Sequence, residues 1–149
     1  MRAVIQRVSH AKVTVDDRVT GEISQGLLIL LGVSVNDDTA SADYLVEKIT
    51  GLRIFDDSDG KMNLAVADIG GGLLVVSQFT LYGDTRHGRR PSFISAAKGS
   101  DAIGLYEYFV AKCRERVTNV ETGEFGAMMD VELINDGPVT IILDSEKTI

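Results

Sequence analysis

The stretch Leu73-Leu74-Val75-Val76-Ser77-Gln78-Phe79-Thr80-Leu81 begins as a wholly apolar run and turns polar after four residues. Short apolar runs bounded by glycine, proline or aspartate are typical of strands buried on both faces. Residues 27–31 and 139–143 show the same pattern. We therefore predict a packed sheet or barrel, with polar groups at the far end of one of its central strands.

The remaining strand signals lie at the two ends of the chain. Residues 3–8 and 11–15 alternate in polarity, Asp16-Asp17 offers a turn, and residues 19–23 follow as a third strand. Residues 128–134 mix apolar and acidic side chains, which predicts a strand exposed on one side. That strand would run directly into a turn at Asn135-Asp136-Gly137-Pro138.

Two segments have helical periodicity. In the first, which follows Asp38-Thr39 and ends at Gly51, apolar residues recur at i, i+3, i+4 and i+7. The second has Ser100 as its expected cap and an apolar stripe that includes Cys113. We predict an α+β fold for residues 1–149 as one domain, a strand-dominated, barrel-like sheet with two packed helices.

The composition limits the classes of function. The chain has 149 residues, 44% of them hydrophobic, a formal net charge of −7 and one cysteine. The single cysteine suits a reducing compartment, so we expect a cytoplasmic protein. There is no signal-peptide pattern, and no apolar stretch approaches the length of a membrane span. Because the net charge repels phosphate, any nucleic acid must meet a local basic patch.

Several kinds of catalytic site are disfavoured. Two histidines and a single cysteine on an apolar helix stripe do not assemble a familiar zinc site, and Cys113 in apolar surroundings makes a poor nucleophile. Gly70-Gly71-Gly72 precedes a strand, unlike a phosphate-binding loop. Ser77 and His87 are unlike the catalytic pair of a serine hydrolase, because Ser77 lacks the Gly-x-Ser-x-Gly turn of that class. We expect no metal and no cofactor.

Three segments are candidates for a site, and each has a purely structural alternative. The polar groups of Ser77-Gln78-Phe79-Thr80 either satisfy backbone groups at a strand end or bind a ligand. Residues 135–140 form either a hairpin turn or, if the Gly-Pro bond is cis, a device that aims carbonyl groups. The loop containing Arg86, Arg89 and Arg90 is either solvated or the local patch for RNA.

Two of these segments, Ser77-Gln78-Phe79-Thr80 and Asn135-Asp136-Gly137-Pro138-Val139-Thr140, resemble the signature segments of the D-aminoacyl-tRNA deacylases, also called D-tyrosyl-tRNA deacylases. The similarity covers nearly the whole chain. It also runs through Met1-Arg2-Ala3-Val4-Ile5-Gln6-Arg7-Val8, Leu52-Arg53-Ile54-Phe55, Lys61-Met62-Asn63 and Gly88-Arg89-Arg90-Pro91-Ser92-Phe93, and it ends near Asp144-Ser145.

The resemblance implies hydrolysis of the ester between a D-amino acid and the terminal ribose of tRNA. It also implies a homodimer with its active sites at the subunit interface, binding the acceptor end of aminoacyl-tRNA. In that family the pair corresponding to Gly137-Pro138 is cis and reaches across from the partner subunit, and Arg7 is similar to an arginine that supports it. Backbone carbonyls there exclude L side chains, so glycine attached to tRNA would be accepted.

The resemblance assigns the ester to residues 77–80. Backbone N–H groups around Phe79 and Thr80 would stabilise the oxyanion. Thr80 resembles a threonine once cast as the nucleophile, but neither histidine is obviously placed to act as its base. We therefore favour activation of water by the ribose hydroxyl next to the ester. Arg86, Arg89 and Arg90 are the expected RNA contacts.

Two rival functions stay open. One is a synthetase-type editing domain that removes L-amino acids, which the end of the chain at Ile149 without a linker disfavours. The other is a catalytically silent RNA-binding dimer, in which the arginines bind phosphates and the Gly-Pro turn serves folding only.

Overall fold

The chain forms eight strands, two α-helices and one 3-10 turn in a computed structural model that describes residues 1–149. The elements are β1 (Arg2–Val15), β2 (Arg18–Ile23), β3 (Gly26–Gly32), α1 (Thr39–Gly51), β4 (Phe55–Asp56), β5 (Met62–Leu64), β6 (Gly72–Ser77), the 3-10 turn (Phe79–Tyr82), α2 (Gly99–Arg114), β7 (Val120–Thr122) and β8 (Asp130–Asp144). The predicted α+β class, with a barrel-like sheet and two helices, is confirmed.

The long strand β1 organises the sheet. It joins the two strands predicted at residues 3–8 and 11–15 into one. Along one edge β1 pairs with β8, and along the other it pairs first with β3 and then with β2. Asp16 and Asp17 have φ angles of 48° and 64°, the left-handed conformation that a two-residue hairpin turn between twisted strands requires. The predicted turn is therefore confirmed.

The sheet curls until its two ends nearly meet. Its strand order is β2-β1-β3-β6-β7, with β8 attached to β1, and β6 runs parallel to both β3 and β7. The approach of β2 to β7 is so close that a Cβ on Gly21 would lie 2.4 Å from the carbonyl oxygen of Thr122. Glycine at this position lets the barrel come close to closure.

Strand β6 separates two apolar cores, which explains its continuous apolar sequence. Leu73 and Val75 belong to the larger core, which includes residues of both helices, and Leu74 and Val76 belong to a smaller one with residues of β1, β2 and β3. Cys113 is fully buried in the larger core, and burial raises the pKa of its thiol to about 12. The prediction that this cysteine packs in the core is confirmed.

The two helices begin differently. Asp38 caps α1, and its side chain and that of Ser41 form a reciprocal capping box. Helix α2 begins at Gly99, and the residue before it, Lys98, makes no side-chain cap. The prediction that Ser100 caps this helix is wrong, because Ser100 is already its second residue. Neither helix is long and apolar enough to span a membrane.

Strand β8 differs most from the prediction. One strand replaces the predicted strand, turn and strand, and it begins at Asp130 rather than at residue 128. The expectation that residues 139–143 are buried on both faces is wrong in this chain, because β8 is covered on one face only. On the other face Ile134 is 61% exposed and Ile142 is 52% exposed.

We predict that Gly26→Ala lowers the free energy of unfolding by about 1–3 kcal/mol, the usual cost of overpacking. A Cβ at position 26 would lie 1.9 Å from the carbonyl oxygen of Gly72 on the neighbouring strand. Gly104→Ala in α2 is the matched control. Nothing lies within 4 Å of its added methyl group, so it should raise stability by about 0.5–1 kcal/mol. Urea denaturation followed by circular dichroism measures both, and equal effects would contradict the argument.

Candidate active site

A pocket of about 710 Å³ opens at the end of β6. Its walls come from the end of β6, the start of the 3-10 turn, residues 93–98, the first two turns of α2 and residues 125–131, and most of them are apolar. The lining includes Ser77, Gln78, Phe79, Phe93, Lys98, Tyr106, Phe125, Met128 and Met129. An apolar pocket with a few polar groups at one end is the usual form of a small-molecule site.

The polar end of this pocket is a sharp change in backbone direction. Gln78 continues the sheet by donating its N–H to the carbonyl of Leu31 at 2.8 Å, and the chain then enters the 3-10 turn. The N–H groups of Phe79 and Thr80 occupy the first two positions of that turn, where no intrahelical acceptor exists. No loop carbonyl or side chain accepts from them. Two adjacent backbone donors are therefore available beside the pocket.

The side chains of this segment have distinct surroundings. The amide Nε2 of Gln78 donates to Oγ1 of Thr80, which supplies no base to that hydroxyl because a carboxamide N–H is only a donor. The ring of Phe79 is 56% exposed and packs edge-on against Phe93, with 5.1 Å between the ring centroids. Of the predicted residues 77–80, Ser77, Gln78 and Phe79 line the pocket and Thr80 does not.

Strand β8 contains a wide bulge at the second predicted segment. Gln6 pairs with Thr140 and Val8 pairs with Asn135, so five steps along β8 oppose two along β1. The displaced residues form the Gly-Pro bulge (residues 136–139), in which the Gly137-Pro138 bond is cis and both residues are exposed. The hairpin-turn interpretation is wrong: pairing with β1 continues on both sides of the bulge.

Two side chains fix the Gly-Pro bulge from behind. The amide of Asn135 donates to the carbonyls of Arg7 and Val139 at 3.0 and 3.1 Å. Arg7 is only 9% exposed. Its Nε donates to the carbonyl of Asp136 at 3.2 Å, and its NH1 donates to the carbonyl of Ile54 at 2.7 Å. A Cβ on Gly137, whose φ is +121°, would lie 2.9 Å from the Arg7 guanidinium. Glycine is needed for this close approach.

The two segments do not meet within one chain. Ser77 is in register with Leu31, Leu31 with Ala3, and Gln6 with Thr140. Ser77 and Thr140 are therefore three strands apart across the sheet, about 14 Å, and three residues apart along the strand direction, about 10 Å. The pocket is lined by no residue of the Gly-Pro bulge and not by Arg7.

The basic loop is only partly available to a ligand. Arg86 donates to both carboxylate oxygens of Asp84, at 2.9 and 2.6 Å, and its guanidinium holds the pKa of the Asp84 carboxyl well below the usual range. Arg89 and Arg90 are exposed and have no ion-pair partner in the chain. They are the better placed of the three arginines to meet phosphate.

Sequence reasoning missed most of the pocket wall. Tyr106, which belongs to the predicted apolar stripe of the second helix, also lines the pocket and donates its hydroxyl to the carbonyl of Val75 at 2.8 Å. The run Phe125-Gly126-Ala127-Met128-Met129 supplies another wall. Its signal was an apolar segment with no strand alternation, interrupted by a glycine. No three His, Cys, Asp or Glu side chains lie close enough together to hold a metal ion.

Comparison with known proteins agrees with the resemblance seen in the two signature segments. The family model described as D-Tyr-tRNA(Tyr) deacylase matches residues 4–144. The D-aminoacyl-tRNA deacylase of Koribacter versatilis is 61% identical over 147 residues, which is 99% of each chain. That of Clostridioides difficile is 59% identical over 148 residues, again 99% of each.

Two solved structures share the fold. The c-Myc DNA Unwinding Element Binding Protein superposes with a TM-score of 0.91 at 40% identity, covering 97% of this chain and 98% of that one. A structure described as a probable eukaryotic D-amino acid tRNA deacylase has a TM-score of 0.79 at 16% identity and covers 96% of this chain and 98% of its own, which supports the fold alone. With a family match from residue 4 to residue 144 and relatives about as long as itself, the chain belongs to the D-Tyr-tRNA(Tyr) deacylase family.

Proposed function

We propose that this protein hydrolyses the ester bond of D-aminoacyl-tRNA and releases the free D-amino acid and tRNA. The observation that carries the proposal is the family match over residues 4–144, together with two unpaired backbone donors beside an apolar pocket. The reaction removes D-amino acids from tRNA before they reach translation. A cytoplasmic location, predicted from the presence of a single cysteine, is part of the proposal.

The apolar pocket is the proposed binding site of the terminal nucleoside of the tRNA. Bases that are not paired are commonly held by stacking on aromatic side chains, and Phe79, Phe93 and Phe125 all line this pocket. A nucleoside seated there would bring its ribose, and the ester carried on that ribose, towards Ser77 and the 3-10 turn. Lys98 adds a positive charge at the rim for the neighbouring phosphate.

The proposed chemical step is stabilised by backbone groups. Water attacks the ester carbonyl, and the oxygen that gains negative charge accepts hydrogen bonds from the N–H groups of Phe79 and Thr80. One such donor contributes about 2.7–4 kcal/mol in a comparable hydrolytic site. The C–O bond to the ribose then breaks, and the ribose oxygen leaves with a proton.

The proposed activator of water is the ribose hydroxyl next to the ester. The alternative, attack by the Thr80 hydroxyl, needs an adjacent base. The hydrogen-bond partner of that hydroxyl is the Gln78 amide N–H, which cannot accept its proton. The surroundings of Thr80 therefore favour participation of the RNA over a threonine nucleophile.

Selection against L-amino acids is assigned to the carbonyl groups of Gly137 and Pro138. If these carbonyls lie beside the α-carbon of the substrate, an L side chain collides with them while a D side chain points away. Hydrogen bonds from Arg7 and Asn135 to backbone carbonyls hold the Gly-Pro bulge in place. Glycine has hydrogen on both sides of the α-carbon, so glycyl-tRNA should also be hydrolysed.

A homodimer is required by this assignment. Because the Gly-Pro bulge lies far from Ser77 in its own chain, it can act at the pocket only if a second subunit supplies it. Large apolar side chains are exposed on β8 and beside the pocket, at Ile134, Ile142, Phe79, Ile94 and Met128. Exposed apolar surface of this kind supports a contact with a second copy.

The RNA contact is assigned to Arg89 and Arg90, with Arg86 contributing only if it leaves Asp84. The net charge of −7 opposes a large footprint on the phosphate backbone, so we assign binding to the acceptor end. Affinity should fall as salt rises, with the slope set by the few phosphates that are neutralised.

The activity itself is tested with tRNA charged by D-tyrosine, L-tyrosine or glycine. We expect release of D-tyrosine and glycine but not of L-tyrosine, unchanged by a chelator because no metal takes part in the proposed step. Acid precipitation of labelled aminoacyl-tRNA over time measures the rates. Release of both tyrosine enantiomers would support a synthetase-type editing function, and release of none would support a silent RNA-binding protein.

The role of the ribose hydroxyl is tested against that of Thr80. Thr80→Ala should keep activity within about tenfold, whereas D-tyrosyl-tRNA that lacks the hydroxyl next to the ester should lose at least about a hundredfold, the range of general base catalysis. Thr80→Ser, which retains a hydroxyl, is the matched control. The opposite pattern would make Thr80 the nucleophile.

The shared site is tested by cross-linking. A chain carrying both Phe79→Cys and Pro138→Cys should form a disulfide between subunits, because the two positions are far apart within one chain. Oxidation should then give a band of twice the chain mass on a non-reducing gel. Each single variant is a control, since native Cys113 is buried. A compact band of single-chain mass would mean that the pair meets within one subunit.

A further inference from the structure

The 3-10 turn rests on a row of three residues from three neighbouring strands. Asp144 of β8 pairs with Arg2 of β1, and Arg2 pairs with Gly32 of β3. Residues in register on adjacent strands point to the same face of a sheet. On the face that the turn packs against, this Asp144-Arg2-Gly32 row therefore has one carboxylate, one guanidinium and one residue without a side chain.

Arg2 contacts the turn in two ways. Its NH1 donates to the carbonyl of Leu81 at 3.1 Å. Its guanidinium carbon lies 4.6 Å from the ring centroid of Tyr82, within the range of a cation–π contact. Leu81 and Tyr82 follow directly after Phe79 and Thr80, whose N–H groups are the proposed oxyanion donors. A shift of the second half of this four-residue turn moves its first half.

Asp144 fixes the guanidinium. Its side chain is almost fully buried, and its carboxylate accepts from Nε of Arg2 at 3.3 Å. Burial raises the pKa of Asp144, but hydrogen bonds from Thr148, the Glu146 N–H and Arg2 outweigh burial and lower it. The carboxylate is thus charged at neutral pH and holds Arg2 against the turn.

Gly32 determines how closely the turn approaches the sheet. A Cβ at this position would lie 3.0 Å from the carbonyl oxygen of Gln78, 3.1 Å from Cβ of Leu81 and 3.3 Å from the ring of Tyr82. All three atoms belong to the turn or to the residue before it. The absence of a side chain at Gly32 therefore lets the turn sit directly on β3.

We propose that Arg2 and Gly32 are positioning residues for hydrolysis, because they set the location of the Phe79 and Thr80 N–H groups at the pocket. The inference rests on the proposed function. Asp144 acts one step further away, through Arg2. None of the three lines the pocket, so their loss should impair the chemical step more than substrate binding, which changes only as far as the ring of Phe79 moves with the turn.

The experiment compares Arg2→Ala, Arg2→Lys, Asp144→Asn and Gly32→Ala with Arg18→Ala. Arg18 also forms a carboxylate pair, with Glu124, but it is the first residue of β2 and lies opposite Val15, at the far end of β1 from Arg2. We expect kcat on D-tyrosyl-tRNA to fall roughly tenfold to a hundredfold in Arg2→Ala and Gly32→Ala, the effect of misplacing catalytic groups by about 1 Å, with a smaller change in KM. Arg2→Lys keeps the charge and should recover part of the loss. Asp144→Asn should lose less, and Arg18→Ala should match the wild type.

Amide resonances give a readout that is independent of activity. In ¹⁵N–¹H spectra the Phe79 and Thr80 signals should shift in Arg2→Ala and Gly32→Ala but not in Arg18→Ala, in samples shown to be folded by thermal unfolding. If Arg2→Ala does not fold, Arg2→Lys and Gly32→Ala provide the same comparison.

The two levels of proposal fail separately. A wild type that is inactive on D-tyrosyl-tRNA would overturn the proposed function, while shifted Phe79 and Thr80 amides would still support the positioning role. The positioning role would be overturned if the wild type is active and the Arg2 and Gly32 variants have the kcat of the wild type and the same Phe79 and Thr80 amide signals. An equal loss in Arg18→Ala would overturn it as well.

Discussion

Burial of β6 on both faces is the constraint on which the rest of the structure depends. A strand enclosed between two apolar cores must satisfy all its backbone groups through its neighbours, and β3 and β7 do this on its two edges. The chain can leave this position only at the end of the strand. There the first polar side chain, Ser77, is followed by a 3-10 turn whose leading N–H groups have no partner. The same burial that stabilises the sheet therefore places unsatisfied donors at one fixed point.

Local chemistry was sufficient to predict the elements whose partners are near in sequence. The Asp16-Asp17 hairpin, the helix that follows Asp38 and the apolar run of β6 follow from backbone preferences and periodicity over a few residues. The same approach placed residues 77–80 at the end of a buried strand. The pocket wall at Phe125, Met128 and Met129 could not be predicted in this way, because it depends on which distant segment packs over the end of β6.

Strand β8 shows why the second segment was misinterpreted. Asn-Asp-Gly-Pro has the composition of a turn, and local preferences alone favour reversal of the chain. Pairing with β1 on both sides decides otherwise, and a bulge absorbs the extra residues without reversing the strand. Burial was misjudged for a related reason. Apolar residues such as Ile142 were assumed to be covered within one chain, whereas one face of β8 is open.

In the proposed function both candidate segments act through backbone groups, the N–H groups of Phe79 and Thr80 and the carbonyls of Gly137 and Pro138. Backbone groups are present at every residue, so their chemistry leaves little trace in side-chain identity. Specificity then lies in what fixes the backbone. Two arginines of β1 do so: Arg2 donates to the carbonyl of Leu81, and Arg7 donates to the carbonyl of Asp136. Being five residues apart, they point to opposite faces of the strand. One strand thus holds both segments, and since these lie far apart in a single chain, each β1 would serve two different sites of the proposed dimer.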